Sequence, residues 1–554
     1  MTHTLTEGGQ ITSHRLRMLR QVFKTAIFGS LFIGLLVFIG LMLSTPLMAY
    51  LAMWYFAKAW ILQGVVSDME INRDFLNQVI NQQLHYNPHL RLEYVNQLMT
   101  PIVQKLILDA YGNTIIALQF TGCTFGCILG YFIYRGRLAK EKMHLTGAKI
   151  VSPTRLNWRL RINGKQSPIK IGSIPLIKNS ETQHLLISGG TGSGKTNCLH
   201  HILGQVRKLN QKVIIVDTTE VFVDRYYRPG IDVLLNPLDP RSVEWNPWAE
   251  GCSNFDYAEL AEAFMPSSNT DSENYWRVAS RSVFISLLKK FSDTKKTSDI
   301  IRWIQYEPLS NLCKLLVGTK AAAHMDLSSE KTASSIRSVA STFLDCLETI
   351  KDTENPFSIR NWLNKEDGSW LFLQCTPSQR ALLRPLMTAW ISSAVRGLLS
   401  LPVDLKRRIW FSMDELPTLQ RVKDLEMLLT EGRKYGGCGI ITLQSPAQLE
   451  SIYGRDVTKT IIGNTATKII FREADPEIAE RISRAFGERE VMEIQEGISY
   501  GAHETRDGVT LSMQNKNRPV VSATQIMELP VNTAYVKLAE EQIVTKIKLP
   551  IVRH

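Results

Sequence analysis

The segment from Gly189 to Thr196 has the residue types of a phosphate-binding loop. It fits the pattern G-x-x-x-x-G-K-[ST] and consists of Gly189, Gly190, Thr191, Gly192, Ser193, Gly194, Lys195 and Thr196. The glycines allow backbone N–H groups to turn inward around phosphates. Lys195 supplies a positive charge for the β- and γ-phosphates, and the Thr196 hydroxyl can ligate Mg²⁺. This segment therefore predicts binding of ATP together with Mg²⁺.

The residues around this loop predict that it lies between a strand and a helix. Residues 184–188, HLLIS, are typical of a short buried strand, and residues 198–209, CLHHILGQVRKL, are typical of a helix. A phosphate-binding loop requires this context, because the amino end of the following helix adds a favourable dipole for an anion.

A pair of carboxylates follows a second apolar segment, IWFSMDEL, residues 409–416. Asp414 at the tip of a strand can hold Mg²⁺ directly or through water. Its neighbour Glu415 is then placed to orient or deprotonate the attacking water. The alternative is a solvent-facing acidic pair at a strand end, but the upstream phosphate-binding loop favours the catalytic interpretation. Gln444 follows the predicted strand 439–443, and RecA-like ATPases use a polar residue at such a position to sense the γ-phosphate.

The order of the predicted elements indicates an α/β fold. Strands at 213–217, 370–374, 409–413 and 439–443 alternate with helical patterns, which favours a mostly parallel sheet. Between them, residues 246–365 show mainly helical periodicity. We therefore predict a RecA-like P-loop ATPase domain, formed by residues 137–245 and 366–554, with an inserted all-α domain at 246–365. Basic residues of the insert are either DNA phosphate contacts or solvated helix faces.

Two uncharged apolar runs near the amino terminus predict a two-helix transmembrane anchor, residues 25–136. The runs cover about residues 25–57 and 114–134 and are long enough to cross a bilayer. Buried core helices are the alternative. Basic residues precede the first run and follow the second, so the positive-inside rule places segment 1–24 and the ATPase domain in the cytoplasm, and segment 58–113 outside. We expect no cleaved signal peptide, because the first run is too long for a signal core.

The amino-acid composition restricts the possible functions less than these motifs do. The chain has 554 residues, enough for two or three domains, and 64 basic against 52 acidic side chains. The net charge of +12 suits contact with nucleic acid or anionic lipid, and positive-inside loops explain part of it. The eight cysteines show neither zinc-ligand spacing nor a disulfide framework.

Five segments together resemble the type IV secretion coupling proteins of bacterial conjugation, particularly the TraD-like members of F-type systems. The segments are GGTGSGKTN (189–197), LNPLDPR (235–241), WFSMDELPTL (410–419), EGRKYGGCGIITLQSPAQLESIYG (431–454) and SYGAHETRDGV (499–509). The resemblance covers nearly the whole chain, and segment 431–454 is its most specific part. It implies a homohexameric, DNA-dependent ATPase and translocase of the bacterial inner membrane, with more than one membrane pass. Such a protein links relaxase-bound DNA and the relaxosome proteins to the secretion channel and drives single-stranded DNA outward.

The resemblance also implies roles for individual residues. Lys195 and Thr196 bind phosphate and Mg²⁺, Asp414 and Glu415 serve the metal and the attacking water, and Gln444 senses the γ-phosphate. Arg433 resembles an arginine finger supplied by the neighbouring subunit, where a planar cation stabilises charge in the transition state. A surface basic pair is the alternative for Arg433. Arg506 is a second candidate for contact with nucleotide across a subunit interface.

Two other functions stay open from the sequence. One is an FtsK-type translocase of duplex DNA, although the membrane region and a winged-helix end typical of that class are not evident. The other is a receptor that recruits protein substrates for secretion and uses ATP hydrolysis only for assembly. F-type members often carry a long carboxyl-terminal extension that docks the relaxosome. Here we expect the helical insert or an adaptor protein to take that role.

Overall fold

The computed structural model describes residues 2–44, 50, 54, 92–140, 143–268, 270–499 and 508–552. The chain divides into two compact units, one with Met1–Met143 and Glu493–Gln514, the other with His144–Met492 and Asn515–His554. The strands lie at β1 Met143–Gly147, β2 Lys149–Ile150, β3 Gln166–Ile171, β4 Ile174–Ile177, β5 Leu185–Ser188, β6 Lys212–Asp217, β7 Val233–Leu235, β8 Trp370–Gln374, β9 Ile409–Met413, β10 Gly437–Leu443, β11 Thr467–Ile470, β12 Glu488–Ser499, β13 Gly508–Pro519, β14 Thr533–Lys537 and β15 Ile543–Lys548.

The first unit contains two long helices, α1 Thr2–Leu43 and α2 Leu92–Lys140. By length and apolar composition, Met18–Leu43 and Val103–Tyr134 could each cross a bilayer. The helices approach closely at Gly34, where a Cβ atom would overlap the Thr121 side chain. Most of their large apolar side chains are exposed, which is typical of helices that face lipid.

The helical boundaries differ from the predicted apolar runs. The second candidate span begins at Val103 rather than at residue 114. Lys105 and Asp109 interrupt the apolar run in the sequence, but helical backbone hydrogen bonding does not depend on side-chain polarity, so the helix continues through them. Of the predicted first run, residues 45–49, 51–53 and 55–57 lie outside the described residues, as do residues 58–91 of the predicted outer segment.

The second unit is built on a ten-stranded sheet in the order β2-β15-β14-β11-β5-β10-β9-β6-β8-β7. From β11 to β7 every neighbouring pair is parallel, whereas β14 pairs antiparallel with β11 and with β15. The central strands β5, β6, β8, β9 and β10 are buried along their whole length. This agrees with a parallel sheet covered on both faces. The four predicted strands correspond to β6, β8, β9 and β10, and the α/β class is confirmed.

Helices pack on both faces of this sheet because successive strand residues point to opposite sides. In β5, Leu186 joins one apolar core, while Leu185 and Ile187 join the other. The remaining helices are α3 Pro153–Ile162, α4 Lys195–Lys208, α5 Val221–Tyr226, α6 Asn254–Phe264, α7 Asp271–Lys290, α8 Thr297–Ile301, α9 Leu309–Leu316, α10 Glu330–Leu344, α11 Ile359–Leu363, α12 Arg380–Leu399, α13 Leu425–Thr430, α14 Pro446–Tyr453, α15 Arg455–Asn464, α16 Pro476–Phe486 and α17 Ala523–Met527.

The segment between β7 and β8 is helical, and its described residues 246–268 and 270–365 contain no strand. Side chains of its helices share one apolar core with the sheet, for example Phe284 with Phe411. The buried Glu250 carboxylate ties the two ends of this segment together, since it accepts hydrogen bonds from Trp245 Nε1 at 3.0 Å and the Ile359 N–H at 2.8 Å. The domain boundaries at 246 and 365 stay a prediction.

Candidate active site

The predicted site residues meet at one edge of the sheet, where the parallel strands have their carboxyl ends. Leu443 of β10 lies opposite Ser188 of β5, so the residues that follow them, Gln444 and Gly189, are neighbours. On the other side of β10, Ile441 lies opposite Met413 of β9, which brings Asp414 beside β10. The sheet register therefore brings the phosphate-binding loop, the carboxylate pair and Gln444 to one place.

The phosphate-binding loop needs glycine at two positions for different reasons. Gly194, directly before α4, has a φ of +117°, and a Cβ atom there would lie 2.6 Å from Asn532 Oδ1. At Gly189 a Cβ atom would lie 2.6 Å from Phe471 Cβ. Gly194 is thus required both for its backbone conformation and for the close approach of Asn532, as expected for a tight loop. The buried Ser193 hydroxyl has no hydrogen-bond partner among the described residues, which suits a loop that meets an external acceptor.

Lys195 is buried and turns back into its own loop. Its Nζ donates to the Gly189 carbonyl at 2.7 Å and to the Gly190 carbonyl at 3.0 Å. Burial lowers the pKa of this lysine, and the charges of Glu415, Asp414 and Glu473 partly oppose that effect. The carbonyls of the loop therefore hold the Lys195 ammonium group, and three carboxylates lie nearby.

Asp414 is buried and held by one hydroxyl group. Thr442 Oγ1 donates to Asp414 Oδ1 at 2.8 Å. Burial raises the pKa of Asp414 to about 6, and the hydrogen bond from Thr442 opposes this shift. The described residues contain no group of three or more metal-binding side chains. That fits Mg²⁺, which in ATPases needs only one or two carboxylates besides a hydroxyl group, phosphates and water. Asp414 and the exposed Thr196 could supply such donors.

Glu415 is fixed in an unusual backbone conformation beside Asp414. Its φ is +51°, in the left-handed region that costs a residue with a side chain about 1–2 kcal/mol. Its N–H donates to Thr442 Oγ1 at 2.7 Å, and its carboxylate accepts from Gln444 Nε2 at 2.5 Å. Thr191 Oγ1 in turn donates to Gln444 Oε1 at 3.4 Å. Gln444 thus connects the carboxylate that would activate water with the phosphate-binding loop.

Two residues of this site were not predicted from the sequence, Thr442 and Glu473. Thr442 lies two positions before Gln444, on the same side of β10, and this spacing was the only available signal. Glu473 follows β11, whose place beside β5 is a long-range feature. Asp217, at the end of β6, has a structural role: its carboxylate accepts from the N–H groups of Phe222 and Val223 at the start of α5.

Arg433 lies at the opposite edge of the sheet from the phosphate-binding loop. Its exposed side chain belongs to the short helix Gly432–Tyr435, directly before β10. It is close to His184, which precedes β5. Burial lowers the pKa of His184 to about 4, and the Arg433 charge contributes to the lowering. Within one chain the structure does not bring Arg433 to Lys195. Arg506 lies outside the described residues.

The sequence matches a family model described as "Type IV secretion-system coupling protein DNA-binding domain" over residues 168–550. It is 30% identical over 561 residues to the coupling protein TraD of Escherichia coli K12, covering 98% of this chain and 77% of TraD. A conjugal transfer protein TraG of Escherichia coli is 25% identical over 233 residues, which are 39% of this chain and 36% of TraG.

Solved structures give the same result for the fold. The bacterial conjugative coupling protein TrwBdeltaN70, in an unbound monoclinic form, is 29% identical with a TM-score of 0.68, covering 74% of this chain and 94% of that one. The plasmid coupling protein TrwB in complex with ADP and Mg²⁺ is 28% identical with a TM-score of 0.67, covering 74% and 95%.

Proposed function

This chain belongs to the coupling proteins of type IV secretion systems, and we propose that it is the ATP-hydrolysing coupling protein of a conjugative system. The observation that carries the proposal is the convergence of Lys195, Asp414, Glu415 and Gln444 at the carboxyl edge of the sheet. Nucleotide and Mg²⁺ in the similar TrwB structure support ATP and Mg²⁺ as the ligands here.

We assign the binding of nucleotide to the loop and the start of α4. Backbone N–H groups of the loop cradle the phosphates, and Lys195 turns from its loop carbonyls towards them. Thr196 and Asp414 would hold Mg²⁺, which would neutralise charge at the phosphates. Because protonated Asp414 is a poor metal ligand, its raised pKa predicts weaker nucleotide hydrolysis as the pH falls and Asp414 becomes protonated.

We assign the activation of water to Glu415. Its carboxylate is half-buried and is oriented by Gln444, so it can accept a proton from water placed in line with the terminal phosphate. Gln444 also contacts Thr191. A change in the loop when phosphate leaves would therefore alter the hydrogen bond that orients the base.

Family membership supports a proposal about the partners and the location of the protein. We propose that it recruits relaxase-bound single-stranded DNA and relaxosome proteins to the secretion channel, and that α1 and α2 anchor it as a homohexamer in the inner membrane with the ATPase domain in the cytoplasm. We place the nucleotide-binding domain at 137–245 and 366–554 and the all-α domain at 246–365. The two apolar helices, the family match and the names of the relatives support this reading.

The decisive experiment measures ATP turnover and plasmid transfer in the same variants. Lys195→Ala and Glu415→Gln should abolish both while the protein stays in the membrane. Plasmid transfer at normal efficiency with either variant would contradict the proposal that ATP hydrolysis drives transfer. DNA should stimulate the wild-type ATPase with a steep salt dependence, because phosphate contacts release counterions. Lack of stimulation by any DNA would instead favour a receptor for protein substrates.

A second experiment tests the proposed finger Arg433 and the second candidate, Arg506. Subunits with Arg433→Ala are mixed with subunits with Lys195→Ala. A site is then intact where the Arg433→Ala subunit supplies Lys195 and the Lys195→Ala subunit supplies Arg433. Recovery of ATP turnover is expected if the arginine acts on the neighbour's phosphate. The same mixing with Arg506→Ala tests the other residue. Mixed oligomers that demonstrably form and show no recovery contradict the assignment.

A further inference from the structure

The residues that follow β11 contact the phosphate-binding loop. The Gly190 N–H donates to the Arg472 carbonyl at 2.8 Å. The next residue, Glu473, is only 6% exposed, and a Cβ atom on Gly190 would lie 3.9 Å from its Oε1 atom. A buried carboxylate therefore lies against the loop on the side away from Asp414 and Glu415.

One oxygen of this carboxylate lacks a hydrogen-bond partner. Oε1 accepts from the N–H of the adjacent Ala474 at 3.1 Å, whereas the buried Oε2 has no partner in the described part of the chain. Burial raises the pKa of Glu473, and this rise is opposed by hydrogen bonds from the N–H groups of Asp475 and Ala474 and, more weakly, by the positive charge of Lys195. A buried ionised carboxylate is costly unless an opposite charge compensates it. Lys195 is a cation that contributes to this compensation.

The attraction has a consequence for nucleotide affinity. Lys195 Nζ is held inside the loop by the carbonyls of Gly189 and Gly190, and the charge of Glu473 favours that position. An incoming phosphate must draw Lys195 out of these bonds and must also approach a fixed negative charge.

We propose that Glu473 is a positioning residue that favours the contact of Lys195 with the carbonyls of Gly189 and Gly190 and so weakens binding of ADP, which promotes product release. The proposal rests on nucleotide binding at this loop, as proposed above. It predicts a gain of affinity when the charge is removed, and loss of structure alone does not produce such a gain.

The test compares ADP affinity of the full-length protein and of Glu473→Gln, using competition against a fluorescent ADP analogue at about pH 8, where carboxyl groups are ionised. We expect ADP to bind about tenfold more tightly to the variant, the change expected when one unit charge near the phosphates is removed in a partly buried site. The KM for ATP should fall in parallel. Asp475→Asn is the matched control. It also removes one negative charge, but from an exposed residue two positions after Glu473 that caps the amino end of α16. Its affinity should stay that of the wild type.

Two further variants make the result unambiguous. Glu473→Asp keeps the charge and should bind ADP nearly as the wild type does. Glu473→Met removes the charge without a polar amide and should tighten binding if Glu473→Gln does not fold. Unchanged or weaker ADP binding in a folded, charge-removing variant overturns the proposal. A wild-type protein that binds no nucleotide contradicts the proposed function instead.

Discussion

Replacement of Thr442 by valine removes one hydroxyl group that contacts the carboxylate of Asp414 and the backbone N–H of Glu415, the two proposed catalytic residues. The Thr442 side chain is fully buried, so valine fills nearly the same space. The hydroxyl donates to Asp414 Oδ1 at 2.8 Å and accepts from the Glu415 N–H at 2.7 Å. Thr442→Val therefore leaves the buried backbone N–H of Glu415 without its acceptor and removes the hydrogen bond that lowers the pKa of Asp414.

The size of the effect follows from these two bonds. A hydrogen bond to a charged group contributes about 1.5–3 kcal/mol, and an unsatisfied buried N–H costs about 1–3 kcal/mol. Since about 1.4 kcal/mol corresponds to one pKa unit, loss of the first bond should raise the pKa of Asp414 by about 1–2 units. Asp414 binds metal when ionised, and a higher pKa moves the acid limb of activity to higher pH. Loss of the second bond releases Glu415 from its left-handed conformation, which should lower kcat about 10- to 100-fold.

The assay is steady-state ATP turnover as a function of pH at fixed Mg²⁺, for the wild type, Thr442→Val and Thr442→Ser. Bound Mg²⁺ lowers the apparent pKa of Asp414 in all three proteins, so the informative quantity is the difference between them. Serine keeps the hydroxyl and should restore most of the activity and the wild-type acid limb. A valine variant with the wild-type acid limb and kcat would refute the role of this hydroxyl.

Three further predictions concern packing and the link to the loop. Gly194→Ala combines an unfavourable φ with a clash against Asn532 and should destabilise the protein by roughly 2–4 kcal/mol, whereas Gly192→Ala, whose Cβ meets nothing within 4 Å, should cost only about 1–2 kcal/mol. Thermal unfolding without nucleotide checks this order, and equal shifts would contradict it. Gln444→Ala should lower kcat at least tenfold yet change ADP affinity less than about twofold, because Gln444 orients Glu415 rather than the phosphates. If ATP turnover and ADP affinity were lost to the same extent, this role of Gln444 would be contradicted. Gly34→Leu should push α1 and α2 apart, since even a Cβ atom overlaps Thr121, and lower the unfolding temperature in detergent, while Gly40→Leu, with open space around its Cβ position, should not.

The parts of the site that could be predicted from the sequence are those defined by local pattern. Residues 189–196 combine loop glycines, a lysine and a hydroxyl residue in consecutive positions, and Asp414 and Glu415 end an apolar strand. Each pattern carries its chemistry within fewer than ten residues. The structure added the register, which aligns Leu443 with Ser188 and thereby brings Gln444 to the loop.

Thr442 and Glu473 could not be predicted because their roles depend on neighbours far away in the chain. Thr442 is an ordinary strand residue until β9 places Asp414 beside it. In the sequence, Glu473 is only an acidic residue before a helix. Its position beside Gly190 results from the pairing of β11 with β5. Helix α2 extends beyond the predicted apolar run for a different reason: charged residues end an apolar run in the sequence but do not end a helix.

The position of Arg433 bears directly on how many chains form one active site. Arg433 precedes β10, whereas Gln444 follows it, and β10 has seven residues. At about 3.3 Å per residue such a strand is roughly 20 Å long, well beyond the reach of an arginine side chain. A single chain therefore cannot bring the Arg433 guanidinium to phosphates held by its own Lys195. If this arginine stabilises the transition state, a second copy must present its amino edge to the carboxyl edge of the first. Such a head-to-tail contact closes into a ring when the rotation allows. The catalytic role of Arg433 and assembly of the protein are thus one hypothesis, and mixed subunits test both together.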